Sequence, residues 1–250
     1  MKTKSWKRIA IIGAIALAAA AGLAALAIFV AAPAIRYGKA GSLQSRGDAA
    51  GAYEAYDRMG GYGQAQANKE KLQEEVIASR SADSMDFGGY TWLILEERDG
   101  KTLLLLRDAL DPQPYNEALT ASSWESCTLR VYLNEIFYNS IPEADRARIA
   151  ETAVLNSSNA ENGTKAGSDT VDHVFLLSLA QAKLYFPDDA ARVARGGRGA
   201  HVGWWLRSPG MEPITAAIVG SDGAVGYYGT GVNAANRYVR PAMWIAAAEQ

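Results

Sequence analysis

From Ile9 to Ile35 the chain carries no charged residue, and Leu, Ile, Val, Phe and Ala dominate the run. At about 1.5 Å per residue such a helix exceeds the roughly 30 Å hydrocarbon core of a bilayer, so the run predicts a membrane span. The small residues in Phe29-Val30-Ala31-Ala32-Pro33-Ala34 offer a cleaved signal peptide as the competing reading. Signal peptides, however, have apolar regions of only about 7–15 residues, which favours retention as a signal-anchor. Lys2, Lys4, Lys7 and Arg8 precede the run, whereas only Arg36 and Lys39 follow closely. The positive-inside rule then keeps the N-terminus in the cytoplasm and places the bulk of the chain outside. Residues 1–36 therefore read as the cytoplasmic tip and transmembrane anchor of a single-pass cell-membrane protein with an extracellular head.

Charge narrows the partners. The 250 residues carry a formal net charge of -2 and are 21% charged, so neither a nucleic-acid footprint nor an acidic tail is indicated. Cys127 is the sole cysteine, which excludes an intramolecular disulfide and a multi-cysteine zinc site. The fold must rest on its core.

Residues 37–79 read as two amphipathic helices. Leu43, Ala52, Tyr53, Ala55, Tyr56 and Met59 fall at helical spacings; Gly47-Asp48 breaks the first helix, and Gly60-Gly61-Tyr62-Gly63 breaks the second before Ala65 to Val76 resumes. This piece resembles a single tetratricopeptide-type hairpin. Because about three such repeats are needed for a stable stack, a short helical stalk is the expectation rather than a peptide-binding groove. Residues 80–86 are polar and read as a linker.

Residues 87–250 read as an α+β head domain with antiparallel hairpins and packed helices. Tyr90 to Leu95 and Thr102 to Leu106 are strand-like and flank Arg98-Asp99-Gly100-Lys101, where Asp-Gly is a strong two-residue hairpin signal. The second strand is apolar on both faces, which predicts a position inside a covered sheet. A helix is expected from Ser123 to Asn139, capped by Ser122 or Ser123, with Leu129, Leu133, Ile136 and Phe137 as its apolar stripe. Pro142 opens a short helix ending near Ala150, and Glu151 to Leu155 is β-prone. Asn156 to Asp172 is a long polar loop whose oxygens suggest calcium, although its spacing does not fit an EF-hand and ordinary turns use the same residues. Val174 to Leu177 reads as a buried strand, Ser178 to Gln181 as a capping box, and Asp188 to Arg195 as a second short helix. Ala216 to Val219 and Ala224 to Tyr228 flank a second turn, Ser221-Asp222-Gly223.

Several residues invite a chemical role. Cys127 in the first turn of its helix suggests a nucleophile, against the commoner reading of a buried structural thiol. His173 and His201 are the only histidines, but no Gly-x-Ser-x-Gly elbow or His-Glu-x-x-His helix accompanies them. Gly196-Gly197-Arg198-Gly199 has the composition of a phosphate cradle without the Gly-Lys-Ser/Thr that completes one, and reads as a mobile loop. No residue is assigned a catalytic or metal role, and no cofactor is expected.

The loops between Trp205 and Val239 are rich in Gly, Asn and Tyr, the composition of adaptable recognition loops. Adjacent strand residues face opposite sides, so Trp204 reads as core and Trp205 as a platform on the outer face, with both in the core as the competing reading. The expected ligand-binding set is Trp205, Arg207, Tyr228, Asn233, Asn236 and Arg237, with Tyr227 beside them. Arg207 and Arg240 have a structural alternative, pinning loops through carboxylates or carbonyls.

From Phe87 to Ile245 the chain resembles the bacterial family called domain of unknown function 6273. The resemblance rests on Tyr90-Thr91-Trp92, Pro114-Tyr115-Asn116, Trp124-Glu125, Cys127-Thr128-Leu129-Arg130, Val174 to Ser178, Trp204 to Gly210, Ser221-Asp222-Gly223 and Val239-Arg240-Pro241-Ala242. It implies a place on bacterial surfaces and supplies no mechanism. The Arg-Pro-Ala ending after Gly- and Asn-rich loops is also similar to C-type-lectin-like and formylglycine-generating-type domains. The chain lacks the cysteine pair of the latter enzymes and the Glu-Pro-Asn or Trp-Asn-Asp runs of lectin calcium sites, so neither activity is carried over.

The resulting expectation is a membrane-anchored, non-enzymatic module that binds an extracellular glycan, peptide or protein and no nucleic acid. The alternatives are an envelope-acting hydrolase and a structural or sensory subunit that recognises a partner protein.

Overall fold

The structure, a computed structural model, describes residues 32–246. The apolar run is described only from Ala32 onward, so the expected span and its orientation lie outside the described residues. Among the described residues no helix is long and apolar enough to cross a membrane. The chain divides into two compact units between Glu70 and Lys71.

In the smaller unit, α1 (Ala32–Ser45) and α2 (Ala49–Asp57) are separated where Gly47-Asp48 predicted a break. Gly47 takes φ 77°, a left-handed turn that costs glycine little. Asp48 caps α2 by accepting from the Gly51 amide at 2.9 Å. Ala40, Ala49 and Ala52 are buried with Tyr53 and Tyr56, and the Tyr37 ring meets Tyr56 edge-on at 5.8 Å. After Gly60 and Gly63, both at positive φ, α3 (Ala65–Ala78) begins in this unit and ends in the larger one.

The larger unit opens with β1 (Ser84–Phe87), β2 (Tyr90–Arg98) and β3 (Lys101–Leu106), which form an antiparallel sheet closed by β11 (Ala242–Ala246) in the order β1-β2-β3-β11. Residues 84–86, expected as linker, instead form an edge strand whose alternating exposure suits a one-sided sheet. The Asp99-Gly100 turn has φ 53° and 70°, as a two-residue hairpin requires. Leu103 to Leu106 are all buried, and β3 lies between β2 and β11, the covered position that its two apolar faces predicted.

The expected helix from Ser123 starts later. Residues 124–126 form a turn, and Cys127 occupies the N-cap, without a side-chain capping bond, of α4 (Thr128–Val131). A π-helical turn (Tyr132–Phe137) and α5 (Tyr138–Ser140) continue it. The wider π turn carries Leu129, Leu133 and Phe137, four residues apart, into the core and leaves Ile136, expected in the stripe, 62% exposed. Then follow α6 (Glu143–Arg146), β4 (Thr152–Val154) and β5 (Thr170–Asp172), the last two an antiparallel pair. The end of the expected polar loop is therefore strand. Its Asp172 is buried and accepts from Trp124 Nε1 at 2.8 Å, Thr170 Oγ1 at 2.7 Å and Arg130 Nε at 2.7 Å, so the carboxylate is fully partnered.

Val174 to Leu177 are buried as expected but form no strand, apart from an isolated bridge between Phe175 and Ala242. Asn134 on the π turn replaces a neighbouring strand there: its side-chain oxygen accepts from the His173 and Val174 amides, and its amide donates to Val174 O. The Ser178-Gln181 capping box forms and starts α7 (Leu179–Tyr185). The next helix is shorter than expected, α8 (Asp189–Arg192), and β6 (Ala194–Arg195) turns through Gly196 to Gly199 into β7 (His201–Val202). The second sheet has β9 (Thr215–Val219) between β8 (Trp204–Pro209) and β10 (Val225–Gly231). The fold is thus α+β, with antiparallel sheets and several helices.

Candidate functional site

The second sheet contains an unusual pair of bulges. On one side of β9, Trp205 pairs with Ile218 and Pro209 with Ala216; on the other, Gly226 pairs with Ile218 and Thr230 with Ala216. On each flank, three residues therefore lie opposite the single residue Ala217. Bulges of this kind bend a strand and re-aim its side chains.

The β8 bulge, Leu206-Arg207-Ser208, turns inward. Arg207 Nη1 donates to Leu176 O at 2.8 Å and to Gln181 Oε1, and Nη2 donates to Leu155 O at 3.0 Å. Ser208 Oγ accepts from the Leu179 amide at 3.0 Å. Both side chains thereby fix the start of α7. Arg207, expected at the ligand surface, is a buried clamp on backbone carbonyls.

Trp205 is a second correction. Both indoles are wholly buried, because β8 is covered on both faces. Trp205 donates to Gln113 O at 2.8 Å and meets the Tyr115 ring at 5.7 Å. Trp204 lies under the Arg240 guanidinium at 5.0 Å and donates to Arg192 O at 3.2 Å. Arg240 donates to Leu106 O and Arg107 O, and burial lowers its pKa to about 10, leaving it cationic at neutral pH.

The β10 bulge turns outward. Tyr227 and Tyr228 are sequence neighbours, yet their rings lie 4.4 Å apart at 37°, and Tyr228 is 57% exposed. The Tyr228 hydroxyl beside it holds the Tyr227 phenol above its ordinary range. Gly229 permits this path: it has φ +76°, and a Cβ there would lie 2.4 Å from Ala216 O. The Tyr228 carbonyl accepts from the Met211 amide at 2.8 Å.

Asn159, one polar residue among many in its loop and not expected to matter, holds this face together. It is 2% exposed, and its Nδ2 donates to Tyr227 O at 2.8 Å, Pro209 O at 2.9 Å and Gly210 O at 3.3 Å. Thr164 Oγ1 adds a bond to Met211 O at 2.6 Å. The long polar loop is thereby tied to both bulged strands. Two of its other oxygens are engaged within the loop: Asp169 accepts from the Asn156 amide and Asn162 from the Thr164 amide. Among the described residues no three His, Cys, Asp or Glu side chains converge as a metal site.

Of the remaining expected ligand residues, Asn233 and Asn236 are exposed and Arg237 is half-buried. Met211 and Leu119, which the sequence reading omitted, are 52% and 53% exposed. Leu119 approaches the backbone of Gly231, and Met211 the backbone of Tyr228, so the outward face combines two tyrosines with apolar neighbours. Glu161 and Lys183, paired at 3.4 Å, provide charge near Tyr227.

The thiol does not belong to this face. Cys127 is fully buried, and desolvation pushes its pKa up to about 12, against helix amides and the Tyr115 hydroxyl that pull the other way. It stays protonated at neutral pH, so it has no nucleophilic thiolate. His173 stacks on Tyr138 at 4.3 Å, and His201 lies exposed on β7.

No curated protein and no solved structure matches the chain. The profile of the domain of unknown function (DUF6273) matches residues 99–247, which include both bulged strands, the Asn159 loop and the closing strand β11. That match spans more than half of the 250 residues, and the chain belongs to the DUF6273 family.

Proposed function

We propose that this chain is a single-pass membrane-anchored protein whose head, a lectin-like domain on a helical stalk, binds an extracellular glycan, peptide or protein without catalysing a reaction. The observation carrying the reading is the Tyr227-Tyr228 pair, with Tyr228 exposed, on a bulge whose backbone is fixed by Asn159 and Met211. Tyrosine supplies a large contact area with few rotatable bonds, so a ligand orders little on binding. A rigid scaffold beneath exposed side chains suits recognition. The protonated, buried Cys127 supports binding over thiol chemistry.

The test has two arms. Replacing Tyr228, Asn233 and Asn236 together with Ala leaves the melting temperature nearly unchanged and abolishes retention on glycan or surface-protein arrays to which the parent chain binds. Unaltered binding by the folded variant would move the site elsewhere. External protease on intact cells degrades the head and spares the anchor; protection of the head would reverse the orientation.

A further inference from the structure

A small cleft lies beside the other sheet. Directly paired residues of an antiparallel ladder share one face, so Glu96, Leu103 and Trp244 form one row and Arg98, Lys101 and Ala246 the next. Glu96 is nearly buried and accepts from the Tyr185 hydroxyl at 2.7 Å. It also pairs with Arg98 Nη1 at 3.4 Å, and the Arg98 guanidinium lies 5.5 Å from the centre of the Trp244 ring. Arg98 is thus held over an indole by a carboxylate that is itself anchored in the core.

Beside this array is a cleft of about 240 Å³ lined by Arg98, Lys101, Glu151, Thr152 and Trp244, with Asp99 at its exposed tip. Among the described residues neither Lys101 nor Glu151 makes an ion pair, with each other or with any third residue. Opposite charges that share a small cleft without meeting leave a gap between them. A ligand with one charge would partner only one wall, whereas a ligand with both charges partners each. The volume lies below the roughly 300–1,000 Å³ of clefts for larger ligands, so the occupant is small.

We infer that this cleft binds a small zwitterion of the α-amino-acid type, its carboxylate toward Lys101 and Arg98, its ammonium toward Glu151 and its side chain against Trp244. The site is separate from the tyrosine face and does not depend on it.

Isothermal calorimetry of the full chain with the free L- and D-α-amino acids tests the idea, together with N-acetyl and methyl-ester forms of those that bind. The expected result is binding of at least one free amino acid, weakened roughly tenfold or more when either end is blocked. Lys101→Gln and Glu151→Gln each produce the same loss without a change in melting temperature, because both side chains sit at the exposed rim. Absence of heat with every amino acid at millimolar concentration would overturn the inference. So would blocked derivatives that bind as well as the free forms, or undiminished binding by both variants.

Discussion

The strands flanking β9 use the same backbone device and send it in opposite directions. Opposite Ala217, β8 bulges by Leu206-Arg207-Ser208 and β10 by Tyr227-Tyr228-Gly229. The first bulge buries a guanidinium among carbonyls at the start of α7; the second presents the Tyr228 ring to solvent, with Tyr227 half-buried against it. What separates them is cover. β8 is buried along its whole length, whereas every residue of β10 keeps some exposure. A bulge under cover must satisfy every polar group it redirects, while a bulge at the surface can display side chains that the fold does not need.

This contrast can be broken by substitution. Arg207→Met leaves the Leu176 and Leu155 carbonyls without their guanidinium donors, and the expected loss is about 3 kcal/mol in urea denaturation. A smaller loss than that of Tyr228→Ala would show that the inward bulge is not the structural one. Gly229→Ala places a methyl against Ala216 O at a left-handed backbone and is expected to cost about 2 kcal/mol, measured the same way. If it proves neutral, the outward bulge is adaptable rather than fixed.

The buried thiol adds a pH signature. Cys127 ionises near 9.0 when exposed and near 12 when folded, so the folded state favours the protonated thiol. Its stabilising contribution is complete below about pH 9 and is lost as pH rises through the folded value; near pH 10 the loss is about 1 kcal/mol. In Cys127→Ala that part of the alkaline decline disappears, as thermal melts at neutral and alkaline pH would show. An unchanged decline would assign it to other groups. The smallest effect belongs to the outward side: Tyr228→Ala should alter stability by no more than about 0.5 kcal/mol, and a loss approaching that of Arg207→Met would make both bulges structural.

Features set by local chemistry were legible in the sequence. Asp99-Gly100 and Ser221-Asp222-Gly223 marked their hairpins because positive φ and short turns are written in the residues themselves. Ser178 and Gln181 marked a helix start because both partners of a capping box lie within one turn. Features set by distant partners were not. The placement of Trp205 followed from strand alternation, but both faces of β8 are covered by segments remote in sequence, including Gln113 and Tyr115. Ile136 obeyed a helical stripe until the π turn changed its direction. Val174 to Leu177 had a strand's apolarity, but Asn134, forty residues earlier, satisfies part of its backbone. Composition singled out Tyr228, Asn233 and Asn236, and all three are exposed. It did not single out Asn159, since its role depends on three carbonyls far along the chain.

The closing strand has a consequence for how the protein is made. β3 leaves the ribosome long before β11, yet the two are hydrogen-bonded neighbours. Until residues 242–246 arrive, the flank of β3 that β11 will cover lacks its partner. Such long-range closure slows folding and leaves apolar strand surface open to misassociation. A nascent head should therefore remain sensitive to protease until β11 has emerged, and chaperone occupancy should end when Trp244 and Ile245 dock.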